Sequence, residues 1–400
     1  MGVLVAIIGK PSSGKSTILN ALANTEAKMG AYPFTTVEPN KGVAYIKVNC
    51  PCANLPESCS PRAGSCINHS RFVPVEILDV AGLVPGAHEG RGMGNQFLDD
   101  LRQADAFIHV LDISGTTDDQ GNEVKSWNPI KDVEWIDEEI TLWVEKIMYS
   151  NWERGVKRLE SDRSKLPEYL TERLSGLGAT IPEVKEVLFE LQQSGSVMPG
   201  KWDEGVKHEL AKAMRKRFFP TCLAANKVDK KGAQTNLRNV EEKFGESYQV
   251  IPTSGLAELF LRQASKKGTI EYIPGSPNFK EMNEDSKEHA TLLNIREKIL
   301  KKYGSTGIYK LLNTLIFEVL DYIPVFPVED TTHLTDANGR VLPDVYLIPR
   351  GTNVKDFAGK IHSDFKKHFL HGILAKNGRR ISASYELEFG DVVKIVSSAK

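Results

Sequence analysis

Four hundred residues at about 150 per domain leave room for two to three domains, each able to bury a core of its own. The hydrophobic share of 40% and charged share of 26% are those of an ordinary globular chain, and 51 Lys and Arg against 52 Asp and Glu leave a net charge of -1. That balance excludes a whole-chain electrostatic hold on nucleic acid or membrane, and no run approaches the roughly 20 apolar residues of a membrane span. Residues 2–8 are too short for a secretory signal and lack its basic flank, so a cytoplasmic location without a membrane partner is expected.

The run Val3–Ile8 is continuously apolar, as a strand covered on both faces is. Gly9-Lys10-Pro11-Ser12-Ser13-Gly14-Lys15-Ser16 follows, and helical spacing then runs from Ser16 to Leu22. Strand, Gly-rich loop and helix form the context in which this pattern cradles phosphates. Gly9, Lys10, Pro11, Ser12, Ser13, Gly14, Lys15, Ser16 and Thr17 are therefore candidate nucleotide-binding residues. Loop N–H groups turn toward the phosphates, Lys15 reaches the β and γ phosphates, and the Ser16 hydroxyl ligates Mg²⁺.

Further strands are expected over Val43–Val48, Phe72–Leu78, Phe107–Leu111, Thr221–Ala225 and Tyr248–Ile251, with helices between several of them, which indicates a mostly parallel α/β sheet. Between the first two lie Cys50, Cys52, Cys59 and Cys66, with His69 nearby. Their softness and number suit Zn²⁺, although the spacings are not those of common zinc modules; disulfides, free thiols and no special role remain open. Cys222, in an expected buried strand, reads as a small core residue.

Asp79-Val80-Ala81-Gly82 closes the Phe72–Leu78 run, where open α/β sheets bind ligands. Asp79 is a candidate for a water-mediated Mg²⁺ contact, and the Gly82 N–H for a γ-phosphate donor. From Thr116 to Lys216 apolar residues recur at three- and four-residue spacing, with breaks near Pro167, Gly176–Gly178, Pro182 and Pro199, so several inserted helices are expected. The basic end Lys212, Arg215, Lys216 and Arg217 fits either a helix-dipole cap or an RNA contact, and Trp127, Trp135, Trp143 and Trp152 fit packing within the insert.

Asn226-Lys227-Val228-Asp229 follows the next strand and chooses the base. A carboxylate at Asp229 accepts from both N1–H and the 2-amino group of guanine, whereas adenine offers a lone pair at N1 and no 2-amine. Ser254 and Gly255, in Thr253-Ser254-Gly255, supply backbone N–H to the guanine oxygen. A helical stretch Ile308–Leu320, a helix near Val354–Lys366 and an Asn377-Gly378 turn between strand-like runs predict a small C-terminal α+β domain.

Two longer stretches, Tyr32-Pro33-Phe34-Thr35-Thr36-Val37-Glu38-Pro39-Asn40-Lys41-Gly42 and Asp79 to Leu98 with Gly86-Ala87-His88-Glu89-Gly90-Arg91-Gly92, resemble the two switch regions of the Obg-related YchF family of GTPases, in its archaeal-type branch. Leu342-Pro343-Asp344, Arg350-Gly351-Thr352 and Tyr385-Glu386-Leu387 resemble a TGS domain. The resemblance implies an α/β P-loop G domain with a mostly parallel sheet over 1–115 and 217–320, a helical insert over 116–216, and a ubiquitin-like β-grasp TGS domain over 321–400. It also implies Thr36 as a second Mg²⁺ ligand, with Thr35 as the neighbouring alternative, and a ribosome or RNA partner.

This chain departs from the pattern at Pro11-Ser12-Ser13, where many relatives have Pro-Asn-Val and the Asn associated with potassium-stimulated hydrolysis. Its base motif is intact where bacterial and animal relatives have a degraded one and prefer ATP. Leu83 stands where Ras-like proteins hold a water-orienting Gln, so slow intrinsic hydrolysis is expected, with His88 and the Gly82 N–H as candidate catalytic groups and Arg91 as a charge stabiliser. The expected activity is Mg²⁺-dependent hydrolysis of GTP to GDP and phosphate by a translation-associated switch; an ATP hydrolase and a non-hydrolysing ribosome adaptor are the alternatives.

Overall fold

The computed structural model describes residues 2–23, 41–56, 58–80, 86, 101–161, 166–192, 199–283 and 287–398. Thr35, Thr36, Gly82, Leu83, His88 and Arg91 lie outside them. Among the described residues the first two thirds of the chain hold seven strands: β1 (Leu4–Ile8), β2 (Lys41–Asn49), β3 (Ser65–Ile67), β4 (Ser70–Asp79), β5 (Ala106–Asp112), β6 (Thr221–Asn226) and β7 (Gln249–Thr253). The chain divides into two compact units, one of Leu4–Ser16 and Leu78–Thr253, the other of Met1–Val3, Thr17–Ile77 and Ser254–Lys400.

In the first of these units β1, β5, β6 and β7 lie side by side in that order, all parallel. Every residue of β1, β5 and β6 is buried, which is why those runs are mostly apolar rather than alternating. β7 continues through Pro252, tolerated because β7 is the last strand of the sheet on that side among the described residues.

The insert is helical over Ile130–Met148, Trp152–Ser161, Leu166–Leu174, Ile181–Gln192 and Glu204–Phe218. Pro167 and Pro182 open helices as their second residues, where a missing N–H costs nothing, so the breaks expected near them fall just before a helix start. Residues 116–129 form no helix. One core cluster joins Ile136, Trp143, Leu170, Val184 and Leu210 of the insert to Ile8 and Phe107 of the strands. The Phe107 and Phe219 rings stack at 5.1 Å, and Trp152 stacks on Trp202 at 5.5 Å. Arg215 is buried against Asp137 at 2.8 Å and the Tyr248 hydroxyl at 2.8 Å, so it is a packing residue and not an RNA contact.

In the other unit β2 neighbours β4, and β3 pairs with β4 as an antiparallel hairpin. Its turn holds Asn68 and His69 at φ 46° and 61°, the two positive values of the turn whose twist matches a hairpin. The C-terminal portion forms a five-stranded sheet from β10 (Tyr322–Pro327), β11 (Tyr346–Pro349), β12 (Phe369–Leu374), β13 (Arg379–Ile381) and β14 (Val392–Ser397), after a short β8 (Ile270–Glu271) and β9 (Lys280–Glu281) pair. The order is β11-β10-β14-β12-β13, with β10 and β14 parallel at the centre. Asn377-Gly378 turns β12 into β13, with Gly378 at φ 64°. The expected helix over Val354–Lys366 is two, Val354–Ile361 and Ser363–Lys367, because His362 is extended.

Leu170 is fully buried in the insert's share of the core. Truncation in Leu170→Ala is expected to cost about 2–5 kcal/mol, read as a lower urea midpoint at unchanged slope.

Candidate functional site

The loop after β1 takes its shape from close approach. Gly9 has φ 144°, and a Cβ there would meet the Val110 carbonyl oxygen at 2.6 Å. Gly14, at φ 102°, lies so near the Asn226 side-chain nitrogen that a Cβ would collide with it. Ser12 takes φ 60° without being glycine. The turn closes with the Ser13 hydroxyl donating to the Lys10 carbonyl at 3.0 Å, and Lys15 then opens the helix Lys15–Ala23.

Lys15 folds back over the loop, and its Nζ donates to the carbonyls of Gly9 at 2.9 Å and Lys10 at 2.8 Å. Burial pulls its pKa down to about 8, and the nearby Asp79 charge offsets this only in part. Asp79, the last residue of β4, is held above the usual carboxylate range by burial, with Lys15 pulling the other way. A cation with loosened hydration beside a turn of strained backbone suits an anion with several oxygens.

Three further residues hold the loop from β5 and β6. Asn226, at the end of β6, donates from Nδ2 to the Ser13 carbonyl at 3.0 Å. Lys227, at φ 68°, donates from Nζ to the Ser12 carbonyl at 2.9 Å and pairs with Asp112 at 3.0 Å. Asp112 closes β5; burial raises its pKa, but bonds from Ser114, Thr117 and Lys227 outweigh that and hold it below the usual range. The sequence reading missed Asp112, whose signal was its place as the first carboxylate after the apolar run of β5. Asp229 is half-buried and lies 3.9 Å from Lys230.

The Lys10 side chain has partners of its own. It is fully buried, paired with Asp132 at 2.8 Å, donating to the Thr117 carbonyl at 2.6 Å, and 5.1 Å above the Trp127 ring. Trp127 donates its indole N–H to Asp132 at 2.9 Å. The side chain therefore anchors the loop from beneath, and only the Lys10 backbone is left to meet a ligand. Ser16 is exposed at the start of the helix. In the other unit the buried Ser254 donates its N–H to the Thr306 carbonyl at 2.9 Å, and Gly255 opens the helix Gly255–Lys266.

Cys50, Cys52, Cys59 and Cys66 come together behind β2 and β3, all four Sγ atoms lying within 4.8 Å of one another. No S–S bond joins them in the structure, and the cluster can chelate a metal such as Zn²⁺. Cys222 is a fully buried residue of β6.

A parallel sheet with this phosphate loop after its first strand defines a P-loop nucleotide-binding protein of the α/β class. Comparison with known proteins narrows the class. Family profiles match over residues 4–144 (50S ribosome-binding GTPase), 224–330 (Obg-like GTPase YGR210-like, G4 motif-containing domain) and 335–397 (TGS domain). The uncharacterized GTP-binding protein MJ1332 of Methanocaldococcus jannaschii is 43% identical over 397 residues, covering 99% of this chain and 100% of the relative. The crystal structure of a GTP binding protein from Pyrococcus horikoshii OT3 superposes with a TM-score of 0.77 at 35% identity, covering 99% of this chain and 100% of that one. The ribosome-binding ATPase YchF of Pasteurella multocida is 27% identical over 92% of this chain and 87% of its own. The chain belongs to the YchF/Obg family of P-loop GTPases, with a C-terminal TGS domain.

The buried Lys10–Asp132 pair is the foundation under the loop. Asp132→Ala, which strands the Lys10 charge, is expected to cost about 3–5 kcal/mol in chemical denaturation.

Proposed function

We propose that this chain is a cytoplasmic, Mg²⁺-dependent GTPase that works as a ribosome-associated switch. The observation that carries the reading is the bracing of the phosphate loop by the base-recognition motif: Asn226 and Lys227 hold the Ser13 and Ser12 carbonyls, so one rigid turn presents both ends of the nucleotide site. Asp229, two residues past that brace, accepts from guanine N1–H and the 2-amine. The proposed domain boundaries are 1–115 with 217–320 for the G domain, 116–216 for the helical insert and 321–400 for the TGS domain. The ribosome enters through the 50S ribosome-binding GTPase profile and the names of the bacterial relatives.

In the proposed mechanism the loop N–H groups from Gly9 to Thr17 orient the triphosphate, and Lys15 leaves its loop carbonyls to neutralise the β and γ oxygens. The hydroxyls of Ser16 and Thr36 would hold Mg²⁺ directly and the Asp79 carboxylate through water, oxygen donors of the type Mg²⁺ takes beside a phosphate. When bound there, Mg²⁺ would neutralise charge developing on the β- and γ-phosphate oxygens. Gly82 and His88 are proposed to bond the γ-phosphate and position water, and Ser254 and Gly255 to bond the guanine oxygen.

The second reading is ATP hydrolysis on the ribosome, favoured by the name ribosome-binding ATPase that several bacterial relatives carry at 25–27% identity. Multiple-turnover phosphate release with GTP and with ATP, with and without ribosomes, separates the two, and no release with either identifies a non-hydrolysing adaptor. GTP is expected to bind over ATP by up to about 10⁴, because a site built to bond the 2-amine leaves buried groups unpaired without it. Asp229→Asn is expected to shift preference toward xanthine nucleotides, and equal affinities in the parent chain would overturn the GTP reading.

The Lys15 pKa sets a pH dependence. Its free-state value of about 8 means that a triphosphate meets the charged amine below pH 8 and must recruit a proton above it. Triphosphate affinity is therefore expected to be flat below about pH 7 and roughly tenfold weaker at pH 9, since one pKa unit is tenfold. Isothermal titration across that range checks it, and Lys15→Met is expected to remove the slope along with most of the affinity.

A further inference from the structure

The cysteine cluster belongs to the unit that holds Thr17–Ile77, and its geometry is specific. Cys50 Sγ is 3.7 Å from Cys59 Sγ, and Cys52 Sγ is 3.8 Å from Cys66 Sγ. A tetrahedron with metal–sulfur bonds of about 2.3 Å has edges of about 3.8 Å, so these pairs sit at the spacing of two opposite edges of a zinc tetrathiolate. Cys50 and Cys52 are buried at the end of β2 and in the turn Pro51–Asn54, while Cys66 belongs to β3. Cys59 lies in the loop between that turn and β3, so the four ligands come from four separate local structures, which the metal would tie together.

The surroundings suit the doubly negative charge of such a centre. Arg71 is almost fully buried, and its Nη1 lies 3.7 Å from Cys59 Sγ; His69 Nδ1 lies 3.5 Å from Cys52 Sγ. Ligand second shells of this kind balance charge and fix ligand orientation. Arg71 also reaches outward, donating from Nη1 to the Leu342 carbonyl at 3.1 Å and from Nη2 to the Pro343 carbonyl at 2.9 Å.

Those two carbonyls belong to the TGS domain, and the cysteine loop meets the same segment. The Ser60 N–H donates to the Val341 carbonyl and the Arg62 N–H to the Pro343 carbonyl, both at 2.9 Å. The Arg62 guanidinium forks between Asp344 at 2.7 Å and Asp336 at 2.5 Å. The TGS side is itself under strain, since Leu342 is held at φ 42°, a left-handed conformation that costs a residue with a Cβ about 1–3 kcal/mol unless its neighbours hold it there.

We propose that Cys50, Cys52, Cys59 and Cys66 hold one Zn²⁺ as thiolates, and that this zinc is a brace that keeps the 58–66 loop in shape to dock the TGS segment 336–344. Binding releases the thiol protons to solvent and changes no oxidation state. The loop has little else to fix it: between Cys52 and Cys66 the described residues form one short 3-10 turn and no strand until β3. Without the metal the loop pays the entropy of ordering alone, and the docking hydrogen bonds lose their fixed partner.

The test uses the full-length chain, purified without an affinity tag under reducing conditions. Elemental analysis is expected to find one zinc per chain. Chain stripped by a chelator and titrated with Co²⁺ is expected to give the intense visible and thiolate charge-transfer bands of a tetrahedral tetrathiolate, displaced by Zn²⁺. Hydrogen exchange followed by mass spectrometry is expected to show peptides covering 58–66 and 336–344 exchanging about tenfold faster, or more, in stripped chain, with protection restored by Zn²⁺. Arg62→Ala, which keeps every ligand, is expected to retain zinc and lose protection over 336–344; Cys59→Ser is expected to lose both. Stripping and reloading the parent chain carries the same test if Cys59→Ser does not fold. Iron in place of zinc, no uptake of Zn²⁺ or Co²⁺ by reduced chain, or zinc binding that leaves exchange over 336–344 unchanged would overturn the proposal.

Discussion

The nucleotide site depends on two carbonyl groups. Ser12 and Ser13 lie in a turn whose backbone is strained at Ser12, and a turn of that kind keeps its shape only when its polar groups are held. Lys227 and Asn226 hold them, from the end of a fully buried strand two places away from β1 in the sheet. The loop thereby inherits the rigidity of β6, and the cost of ordering it is met in folding rather than in binding. Gly14 is needed for the same reason, since the Asn226 amide occupies the space a side chain would take.

Charge is distributed around that turn with unequal freedom. Lys10 and Asp132 are buried together, so neither is available to a ligand, and Lys227 is neutralised by Asp112. Among the described residues Lys15 bonds to two neutral carbonyls, which a phosphate can outcompete because charge-assisted bonds are roughly twice as strong as neutral ones. Three lysines near one loop thus have three different roles, and the partner of each decides which.

Much of this was legible in the residue order. Local rules suffice for a strand buried on both faces, a Gly-rich turn and a helix, and the strands β1, β2, β4, β5, β6 and β7 were read to within a few residues. The β3–β4 hairpin was missed because β3 has only three residues, too few for alternation to register, although Asn68 marked its turn. The pattern that makes Lys10 a candidate loop residue concerns the backbone, which says nothing of where the side chain goes. Asp132, which claims that side chain, is 122 positions further along the chain.

By itself the sequence determined the elements, the class of ligand and the family, because each is written in short runs: apolar period, glycine placement, and the Asn226 to Asp229 motif. Only the tertiary structure decided how those runs serve one another. That Asn226 and Lys227 brace the loop, that Asp112 holds Lys227, and that four cysteines spaced unlike any common zinc module converge within 4.8 Å are all long-range facts. Hydrogen bonds and ion pairs act over a few ångströms in space whatever their separation in sequence, so the residues that complete a site are chosen by the packing of the sheet.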